Sequence, residues 1–549
     1  MTKVSPIFLS LWICLVSTIH SNARSNEPLK RPKLVVGIVV DQMRYDYLYR
    51  YYEKFGDGGF KRMLREGFNC RSHHYHYGNT STGAGHASIY TGSTPAIHGV
   101  IGNNWYDPIA GISLNCVSDS LVQGVGGRNP SVGKASPRNL LVSTITDQLR
   151  IATNFQSKTI SIALKDRGAI LPGGHTAQAA YWYDGYTGNW ITSTYYMTQL
   201  PQWVQDFNAL KLPSKYLRQG WNTLLPLEQY TESTEDDQPY EQPMPGNERP
   251  VFPYVLAGQA GDAFGLAAVT PVGNTLTREM AIAAIKGENL GKGKYPDFLA
   301  LSFSAPDGIG HRHGPNSIEI QDTYLRLDQE LSQLFTFLDE WVGKDEYLVF
   351  LSADHGVIDV PEFSQKHRLP SSRFSADSIY TQIRNVIARE FGDEKLVKAI
   401  EIRQIYLDKK RLRAKGITVD DVLAVLREEI LPVNGVAEIF NTRKLGETTL
   451  TEYQRYLFAN EIHPKRSGDL MIIFQPGWIT KTSFGTTHGS PYHYDTHVPF
   501  ILFGWGVRPG ETYRRTYISD ITPTLAAILQ ILPPGGNIGN VIEEALTSN

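Results

Sequence analysis

Residues 33–41 read "KLVVGIVVD", an unbroken apolar run that ends on an aspartate. Runs of this kind, rich in β-branched residues, are typical of parallel strands that are buried on both faces of a sheet. Similar runs occur at 158–164, 297–304, 346–352, 469–475 and 498–504. Amphipathic stretches with helical period, such as 322–342, lie between several of them. Strands that alternate with helices predict an α/β fold with a mostly parallel sheet.

Two regions interrupt this alternation. Residues of about 172–285 are rich in Trp, Tyr, Pro, Gly and Gln and contain the acidic stretch 231–250, which predicts an inserted cap with few regular strands. Residues of about 365–480 show a strand–helix–strand pattern that predicts a small α+β subdomain. Because neither region is bounded by a sharp linker, we expect one main domain over 24–549 that carries both insertions.

The composition excludes some classes of partner. The 549 residues are 41% hydrophobic and 20% charged, and the formal net charge is −2. This is an ordinary globular balance. It provides no bulk attraction to nucleic acid or to anionic lipid, so no nucleic-acid binding is expected and any recognition of an anion must be local.

The first residues are typical of an exported protein. Lys3 precedes the apolar run 7–19, and the small residues of "SNA" (21–23) stand where a signal peptidase cuts. We therefore expect residues 1–23 to be a cleaved signal peptide and the mature chain to be periplasmic or secreted. An uncleaved anchor is the alternative, although the run is short for a membrane span. No later segment reaches about 18 apolar residues, so no membrane span is expected after cleavage.

Removal of the signal peptide leaves two cysteines, Cys70 and Cys116. Two cysteines in an exported protein predict one disulfide, and two unpaired buried thiols are the alternative. Two cysteines cannot form a structural zinc site by themselves.

Polar side chains follow four of the predicted strands at the point where each strand ends. They are Asp41, then Lys165 with Arg167, then Asp307 with His311, and then Asp354 with His355. In open α/β sheets, ligands bind outside the carboxyl ends of the strands. The sequence therefore predicts that carboxylates, imidazoles and two cations meet at one edge of the sheet.

The residue types at this edge point to a metal centre, since Asp and His without cysteine are typical ligands of zinc and similar ions in hydrolytic sites. Asp307 and His311 are spaced to meet one ion around a tight glycine turn, and Asp354 with His355 can do so from an irregular loop. Three further histidines compete for one more ligand position, namely His488, His493 and His497. Two ions a few ångströms apart would stabilise the attacking and leaving oxygens of an in-line displacement.

A polar, glycine-rich stretch supplies a candidate nucleophile. Residues 77–92 read "YGNTSTGAGHASIYTG", in which Thr and Ser can cap a helix that continues through Ala87. A hydroxyl at a helix N-terminus lies beside unpaired backbone N–H groups and the positive end of the helix dipole, where a nucleophile can meet an anion. A capped glycine-rich loop without a catalytic role is the alternative.

Seven motifs of this chain form a recognisable series. They are "VVDQMRYDYL" (39–48), "NTSTGAGHASIYTGSTPAIHGVIGNNWYD" (79–107), "ALKDRGAILPGGHTAQAAYWYD" (163–184), "APDGIGHRHGP" (305–315), "SADHGV" (352–357), "THGSPYHYDTHVP" (487–499) and "SDITPTLAAIL" (519–529). In content and order they resemble the alkaline phosphatase superfamily of two-zinc hydrolases, in a branch that uses threonine as its nucleophile. The resemblance covers nearly the whole mature chain. It implies a three-layer α/β/α sandwich as the catalytic domain, phosphate monoesters as substrates and a covalent phosphothreonine intermediate. No motif bears on the oligomeric state, for which a monomer is the working expectation.

The resemblance also implies a role for each motif residue. Thr82 is implied as the nucleophile. One zinc is implied at Asp307, His311 and His488, and the other at Asp41, Asp354 and His355 with Thr82 as an additional ligand. Asn103, Lys165 and Arg167 are implied to bind the phosphoryl oxygens.

The predicted substrate class depends on Lys165 and Arg167. A phosphate monoester is a dianion, and two cations beside the metal ions suit it, whereas a diester carries less charge and a second substituent. A phosphodiesterase of the nucleotide pyrophosphatase type, which shares the threonine and the asparagine, is therefore the alternative. A sulfatase is disfavoured because Thr82 is followed by "GAGH" and not by the C/S-x-P-x-R pattern. A non-catalytic metal-bound binding protein would lack a ligand or the nucleophile, and none is missing.

Overall fold

The computed structural model of the protein describes residues 30–256, 263–481 and 483–547. The predicted signal peptide, residues 1–23, lies outside these described residues. Within them, no helix has both the length and the apolar character that crossing a membrane requires.

The described residues form 18 strands. The first nine are β1 (Leu34–Val40), β2 (Phe68–His74), β3 (Asn104–Asp107), β4 (Ile112–Asn115), β5 (Gly124–Val125), β6 (Thr159–Ala163), β7 (Ala179–Asp184), β8 (Asn189–Ser193) and β9 (Asp297–Phe303). The others are β10 (Tyr347–Ser352), β11 (Ser372–Arg373), β12 (Val397–Glu401), β13 (Gln404–Leu407), β14 (Val436–Asn441), β15 (Leu470–Phe474), β16 (Trp478–Ile479), β17 (Phe500–Gly504) and β18 (Gly510–Tyr517). Ten of them form one sheet in the order β18-β2-β17-β10-β1-β9-β6-β7-β8-β5.

The centre of this sheet is parallel. The neighbours β10, β1, β9, β6 and β7 all run in the same direction. β1, β9 and β10 are buried over their whole length, and this explains their predominantly apolar sequences, since a parallel strand is covered on both faces. The predicted α/β fold with a mostly parallel sheet is confirmed.

One strand in the interior of the sheet runs the other way. β17 is antiparallel to both of its neighbours, β10 and β2, while β18 is parallel to β2. The apolar run of 498–504 thus predicts a strand here but not its direction. At the other end of the sheet β8 is antiparallel to β7, and β5 is antiparallel to β8.

Helices cover both faces of the sheet. The first nine are α1 (Tyr47–Arg50), α2 (Phe60–Glu66), α3 (Thr82–Thr91), α4 (Pro95–His98), α5 (Ile145–Ala152), α6 (Asp166–Gly173), α7 (Gln202–Ala209), α8 (Leu212–Leu217) and α9 (Val272–Glu288). The others are α10 (Ala305–His313), α11 (Ile318–Trp341), α12 (Pro361–Lys366), α13 (Ala376–Phe391), α14 (Lys409–Lys415), α15 (Val419–Glu429), α16 (Glu452–Glu461), α17 (His493–Thr496) and α18 (Ile521–Leu529). α3, α5, α6 and α18 contact one another, and so do α2, α9, α10 and α11, as two separate layers. Both α6 and α9 contact β6 and β9, which lie between the layers as in a three-layer sandwich.

The long helix α11 begins four residues before the amphipathic stretch predicted at 322–342. Its start is fixed by Ser317, whose hydroxyl accepts a hydrogen bond from the backbone N–H of Ile320 at 3.2 Å. A serine at this position satisfies a backbone donor that the first turn of a helix leaves free.

The two predicted insertions differ in how they relate to the main sheet. The range of about 172–285 begins with β7 and β8, which are strands of the main sheet, and it ends with α9. The range of about 365–480 contains a separate four-stranded sheet in the order β12-β13-β15-β14, which shares an apolar core with α13 and α15. The apolar run of 469–475 is β15 of this small sheet, so it is not a strand of the main one. The boundaries of both insertions stay predictions.

The predicted disulfide is absent, because Cys70 and Cys116 are both free, buried thiols. Cys70 lies on β2 in the main core, whereas Cys116 follows β4 and belongs to a different apolar cluster that includes α6. The two residues are therefore held in different parts of the core. Burial raises the pKa of each thiol to about 12, so both stay protonated.

Candidate active site

Four neighbouring strands end at the same edge of the sheet. Asp41 directly follows β1, and Asp354 follows β10 after one residue. Lys165 lies just beyond β6, and Asp307 lies just beyond β9 in the first turn of α10. Since β10, β1, β9 and β6 are adjacent and parallel, the structure brings these side chains together as their positions after the strands predict.

Two more segments reach this edge because β17 is antiparallel to its neighbours. The segment before β17 carries His488 to the carboxyl end of β10. β2 runs in the same direction as β10, since both are antiparallel to β17. The chain that leaves β2 therefore delivers Thr82, the first residue of α3, to the same edge.

The first group of candidate metal ligands is Asp307, His311 and His488. The Nε2 atoms of His311 and His488 lie 3.2 and 3.5 Å from Asp307 Oδ1. Asp307 and His311 are part of the helix α10, so the glycine turn predicted between them is wrong. A spacing of four residues places both side chains on one face of a helix, which serves the same purpose.

Backbone carbonyl groups orient the two imidazoles of this group. His311 Nδ1 donates to the carbonyl oxygen of Thr486 at 2.9 Å, and His488 Nδ1 donates to that of Thr80 at 2.7 Å. These contacts leave the Nε2 atom of each ring facing Asp307. A carbonyl group that accepts from the second ring nitrogen is the usual partner of a histidine that binds a metal ion.

The second group is Asp41, Asp354 and His355, and all three side chains are fully buried. His355 Nε2 lies 3.6 Å from Asp41 Oδ1 and 3.5 Å from Asp354 Oδ2, while its Nδ1 is held by the carbonyl oxygen of Gly356 at 2.9 Å. In the described chain, Asp41 Oδ1, Asp354 Oδ2 and His355 Nε2 are buried without a hydrogen-bond partner. Unpaired buried polar atoms are rare in proteins, so these three point to a bound ion.

The electrostatics of the second group also favour a cation. Burial, and then repulsion from Asp354, raise the pKa of Asp41 well above its ordinary value. Burial lowers the pKa of His355 to about 3, so the imidazole is neutral and its lone pair is available. Two buried carboxylates with a neutral imidazole form a donor set that fits a divalent metal ion.

Lys165 links the two groups. Its Nζ lies 2.7 Å from Asp41 Oδ2 and 2.5 Å from Asp307 Oδ2. Burial opposes the charge of the ammonium, but Asp307 and Asp41 outweigh this effect and raise the pKa of Lys165. The rings of His355 and His488 stack at 3.4 Å between centroids, so the two ligand groups are direct neighbours.

Arg167 lies two residues further, in the first turn of α6. Its Nε atom is buried without a hydrogen-bond partner in the described chain, and its Nη1 atom is 3.6 Å from the carboxylate of Asp166. The guanidinium therefore retains unused donors close to the edge where the ligand groups meet.

Thr82 begins α3, a ten-residue helix that is buried throughout. The hydroxyl of Ser81 at the helix N-cap accepts no hydrogen bond from the first turn. Of the first backbone N–H groups, that of Gly83 donates to the side chain of Asn103. His86 fixes the first turn, since its Nδ1 donates to the carbonyl oxygen of Thr82 at 2.9 Å. At Gly85 a Cβ atom would overlap with the backbone of Asp354, so this glycine lets α3 approach the second ligand group.

The amide of Asn103 is held by the same helix. Its Oδ1 accepts a hydrogen bond from the backbone N–H of Gly83 at 2.8 Å. With the oxygen engaged, the NH₂ group remains as a donor, and Asn103 also lines the cavity described below.

Gln42 is a site residue that the sequence did not indicate. Its side-chain amide donates to Asp307 Oδ1 at 2.7 Å, and its backbone N–H donates to Asp354 Oδ1 at 3.1 Å. It therefore contacts both ligand groups. A glutamine after an aspartate carries no recognisable signal, since its role depends on partners from distant parts of the chain.

His493 and His497, which the sequence left as competitors of His488, belong to neither ligand group. They lie instead beside His74, in a third cluster.

A cavity of about 450 Å³ opens beside the first ligand group. On one side it is lined by His311, His488 and Asn103, and on the other by residues of the small subdomain, among them Tyr380 and Trp478. An ester group positioned at Thr82 would therefore have a partly aromatic space next to it.

Comparisons with known proteins agree with this geometry. A model of the family "Type I phosphodiesterase / nucleotide pyrophosphatase" matches residues 35–498. The alkaline phosphatase PafA of Elizabethkingia meningoseptica is 45% identical over 526 residues, which cover 95% of this chain and 96% of that protein. The alkaline phosphatase PhoV of Synechococcus elongatus is 46% identical over 520 residues, 95% of this chain and 94% of that protein. A Myroides odoratus protein named as a calcium-transporting ATPase is 46% identical over 527 residues, 95% of this chain and 96% of that protein.

The crystal structure of PafA superposes on the chain with a TM-score of 0.91 and 44% identity, covering 94% of this chain and 100% of that one. The similarity therefore extends to the whole architecture described above and not only to the motifs. The chain belongs to the type I phosphodiesterase / nucleotide pyrophosphatase family within the alkaline phosphatase superfamily, and it is an enzyme of the same group as the alkaline phosphatases PafA and PhoV.

Proposed function

We propose that this chain is an exported zinc-dependent alkaline phosphatase that hydrolyses phosphate monoesters through a covalent phosphothreonine on Thr82. One observation carries the proposal: two adjacent groups of three metal-ligand residues, bridged by Lys165, adjoin the N-terminus of the helix that begins with Thr82. The names of the relatives PafA and PhoV support it.

The two groups would each hold one Zn²⁺, with Asp307, His311 and His488 on one ion and Asp41, Asp354, His355 and Thr82 on the other. When bound, zinc lowers the pKa of an adjacent hydroxyl and stabilises negative charge on phosphoryl oxygens. The carbonyl groups that accept from His311, His488 and His355 fix the ring tautomer in which the other nitrogen is the one that faces the metal position.

Thr82 Oγ1 would attack the phosphorus atom in line with the leaving oxygen, so that a new P–O bond forms to Thr82 as the ester P–O bond breaks. The hydroxyl proton of Thr82 is released, and the leaving alkoxide takes up a proton from water. Attack of water on the phosphothreonine then releases inorganic phosphate and restores the threonine hydroxyl. The N-terminus of α3 would support the developing charge through the positive end of its helix dipole.

Asn103, Lys165 and Arg167 would recognise the phosphoryl oxygens. The amide NH₂ of Asn103 is free to donate because Gly83 holds its oxygen. Arg167 can form a bidentate contact, whereas Lys165 acts as a point charge between the ligand groups. Two cations suit a monoester dianion better than the single charge of a diester.

A phosphodiesterase is the second candidate, since the cavity of about 450 Å³ could hold the additional substituent of a diester. The test is kcat/KM of the zinc-loaded protein on an aryl phosphate monoester and on its methyl diester. We expect a strong preference for the monoester. A ratio near one, or a reversed ratio, would make the chain a phosphodiesterase, and bound zinc without turnover on either substrate would indicate a binding protein.

The variants Lys165→Ala and Arg167→Ala refine this test. Each should lose more activity on the monoester than on the diester, by about tenfold or more, because only the monoester presents the second negative charge. Equal losses on both substrates would contradict the role given to the two cations.

We further propose that residues 1–23 are removed on export and that the mature enzyme is a periplasmic or secreted monomer. Intact mass of the protein recovered from the periplasm or medium, together with its mass in solution, tests both statements. A recovered chain that keeps residues 1–23, or a dimer, would contradict the respective statement.

A further inference from the structure

Three histidines form a compact cluster outside the active site. His74 is the last residue of β2, while His493 begins the one-turn helix α17 and His497 follows that helix. Each offers one ring nitrogen, and these nitrogens all lie within 4.8 Å of one another. The spacing of four residues between His493 and His497 places both rings on one side of the helical turn.

The backbone around the cluster is tightly fixed. His74 and His497 form an isolated antiparallel bridge. On either side of it, the N–H of Tyr75 donates to the carbonyl oxygen of Thr496 at 2.9 Å, and the N–H of Val498 donates to that of His73 at 3.1 Å. The three rings are thus brought together by the backbone before any ion is considered.

The hydrogen bonds of the rings leave lone pairs free. His497 Nε2 donates to the carbonyl oxygen of Arg71 at 3.0 Å, so its Nδ1 carries a lone pair. His74 Nε2 lies 3.2 Å from the hydroxyl of Ser72, while its Nδ1 is buried without a partner in the described chain. His74 is only 4% exposed, so water does not satisfy this nitrogen. His497, with a carbonyl group on one ring nitrogen and the other nitrogen directed to the cluster, is held in the same way as His311 and His488 in the active site.

Stacking of the rings does not account for the cluster. His74 and His497 stack at 4.6 Å between ring centroids, and Tyr45 stacks on the other side of His497 at 4.5 Å. These contacts explain why the two rings are parallel. They do not satisfy His74 Nδ1, and they do not explain why His493 turns its ring toward the other two.

The rings are neutral near neutral pH. Burial lowers the pKa of His74 to about 3, and burial is also the main cause that lowers the pKa of His493 and His497. Two nearby cations are engaged elsewhere: Arg44 pairs with Asp46 and Asp359, and Arg515 donates to the hydroxyl of Tyr453. Three neutral imidazoles suit Zn²⁺, Ni²⁺ or Cu²⁺ and do not suit Ca²⁺ or Mg²⁺, which prefer oxygen ligands.

We propose that His74, His493 and His497 form a third metal site, separate from the catalytic groups, that binds one divalent transition-metal ion. His493 is exposed, so the ion is open to solvent on that side and exchanges more readily than the buried ones. The ion would clamp β2 to the segment that leads from His488 into β17. Within that segment Asp495 Oδ2 accepts hydrogen bonds from both the N–H and the hydroxyl of Ser490, so the loop that follows His488 is also held without the ion.

The test is equilibrium dialysis of the purified enzyme against micromolar free Zn²⁺, with the bound metal counted by mass spectrometry. We expect one equivalent more in the wild-type protein than in His493→Ala, and at least about tenfold weaker binding of that equivalent in the variant. His493 is exposed and outside the catalytic groups, so His493→Ala should fold and keep its turnover. His367→Ala is the matched control, since His367 is also exposed but its Nδ1 is held by the carbonyl oxygen of Phe363, and it should keep the additional equivalent.

A second measurement identifies the ligands. Cu²⁺ added to the zinc-loaded enzyme should give an electron paramagnetic resonance signal with coupling to several nitrogens, and the double variant His493→Ala/His497→Ala should lose it. The proposal would be overturned if His493→Ala and the double variant bound as much metal as the wild-type protein. An unchanged copper signal in the double variant would overturn it as well. Because the result is a difference between variants, it is distinguishable from failure of the proposed phosphatase activity, which is measured separately by turnover.

Discussion

The position of Gln42 depends on a glycine in the neighbouring helix. Gln42 has a φ of 64°, a left-handed conformation that costs a residue with a side chain about 1–2 kcal/mol. Its hydrogen bonds to Asp307 and Asp354 offset this strain. The carboxamide lies directly against Gly310 of α10, where a Cβ atom would overlap with Gln42 Oε1. The chain thus needs glycine at 310, between the candidate metal ligands Asp307 and His311.

Gly310→Ala is expected to lower both stability and metal affinity. In a helix this change usually stabilises a protein by about 0.5–1 kcal/mol, but here the new methyl group would displace Gln42 from Asp307. We expect a net destabilisation of about 1–3 kcal/mol, as for other overpacked sites, and loss of bound zinc. Thermal melting and metal content measure the two effects.

Gly265→Ala is the control for this prediction. Gly265 lies in the 3₁₀ helix Ala263–Val269, and an added Cβ there meets no atom within 4 Å. Its melting temperature should stay the same or rise. If Gly310→Ala behaved in the same way as Gly265→Ala, Gln42 would not be fixed as described.

A pair of variants can also show whether the hydroxyl of Thr82 or that of its neighbour Ser81 is the nucleophile. Thr82→Ala should reduce kcat by a factor on the order of 10³ or more while zinc content and fold persist, as for other covalent nucleophiles. Ser81→Ala is the matched control, since the Ser81 hydroxyl is buried beside Thr82 without a hydrogen-bond partner in the described chain. Steady-state kinetics decide between them. A large loss in Ser81→Ala with little loss in Thr82→Ala would move the nucleophile by one residue.

At the residue scale, sequence predicted which side chains meet but not how they are held. Asp41, Lys165, Asp307 and Asp354 follow parallel strands, so their convergence could be inferred from the strands alone. Gln42 could not be inferred, because its backbone conformation and its partners come from distant segments. The proposed disulfide failed for a related reason, since counting cysteines says nothing about their separation in space.

At the scale of elements, the strands that could be predicted are those covered on both faces. β1, β6, β9 and β10 are buried throughout and mostly apolar because helices lie above and below them. β18 reads "GETYRRTY" and is largely exposed at the edge of the sheet, where charged residues prevent pairing with other chains. β2, which lies next to β18, also contains both polar and apolar residues. Apolar runs therefore reveal the centre of such a sheet and miss its margin.

Two buried glutamates lie close together, Glu241 in the region before α9 and Glu319 in the first turn of α11. Glu241 and Glu319 are each no more than 2% exposed, and they form a group with His313. Burial is the main cause that raises the pKa of both carboxyls, and Glu319 adds repulsion at Glu241. The hydroxyl of Tyr254 donates to Glu319. The folded protein therefore keeps protons that the unfolded chain has already released.

This pair should make stability fall as pH rises. Above the ordinary carboxyl pKa of 4.5 the folded state binds more protons than the unfolded state, so the free energy of unfolding decreases with pH until the raised pKa values are passed. Glu241→Gln removes one titrating group. We expect this variant to gain stability relative to wild type between pH 5 and pH 9, by at most about 1.4 kcal/mol per pH unit.

Melting temperatures over that pH range measure the effect, with Glu228→Gln, at an exposed position, as the control. The control should follow the wild-type curve. A stability difference of Glu241→Gln that does not change with pH would mean that the two carboxylates stay ionised, with a cation bound between them and His313.

Across the molecule, the candidate metal ligands of the active site lie at the edge of the main sheet and outside the small subdomain. The main core includes β1, β9 and β10, whose ends carry Asp41, Asp307 and Asp354. The core of the small subdomain is formed by β12 to β15 with α13 and α15, and those elements carry none of the ligands. The small subdomain contributes instead to the wall of the cavity beside the site. We therefore expect metal binding to stabilise the main sheet more than the small subdomain.

Removal of zinc by a chelator tests this asymmetry. Each tightly bound ion that leaves takes with it about 4 kcal/mol of stability at a free concentration a thousand times its Kd, so the melting temperature should fall by on the order of 10 °C or more. Without the ions, the buried carboxylates of Asp41 and Asp354 repel each other, and hydrogen exchange should accelerate most in β1 and β10. The amides of β13 and β15 should keep most of their protection and serve as the internal control. Uniform acceleration in both sheets would show that the molecule unfolds as a single unit, and no acceleration in either would show that the ions do not hold the ends of β1 and β10 together.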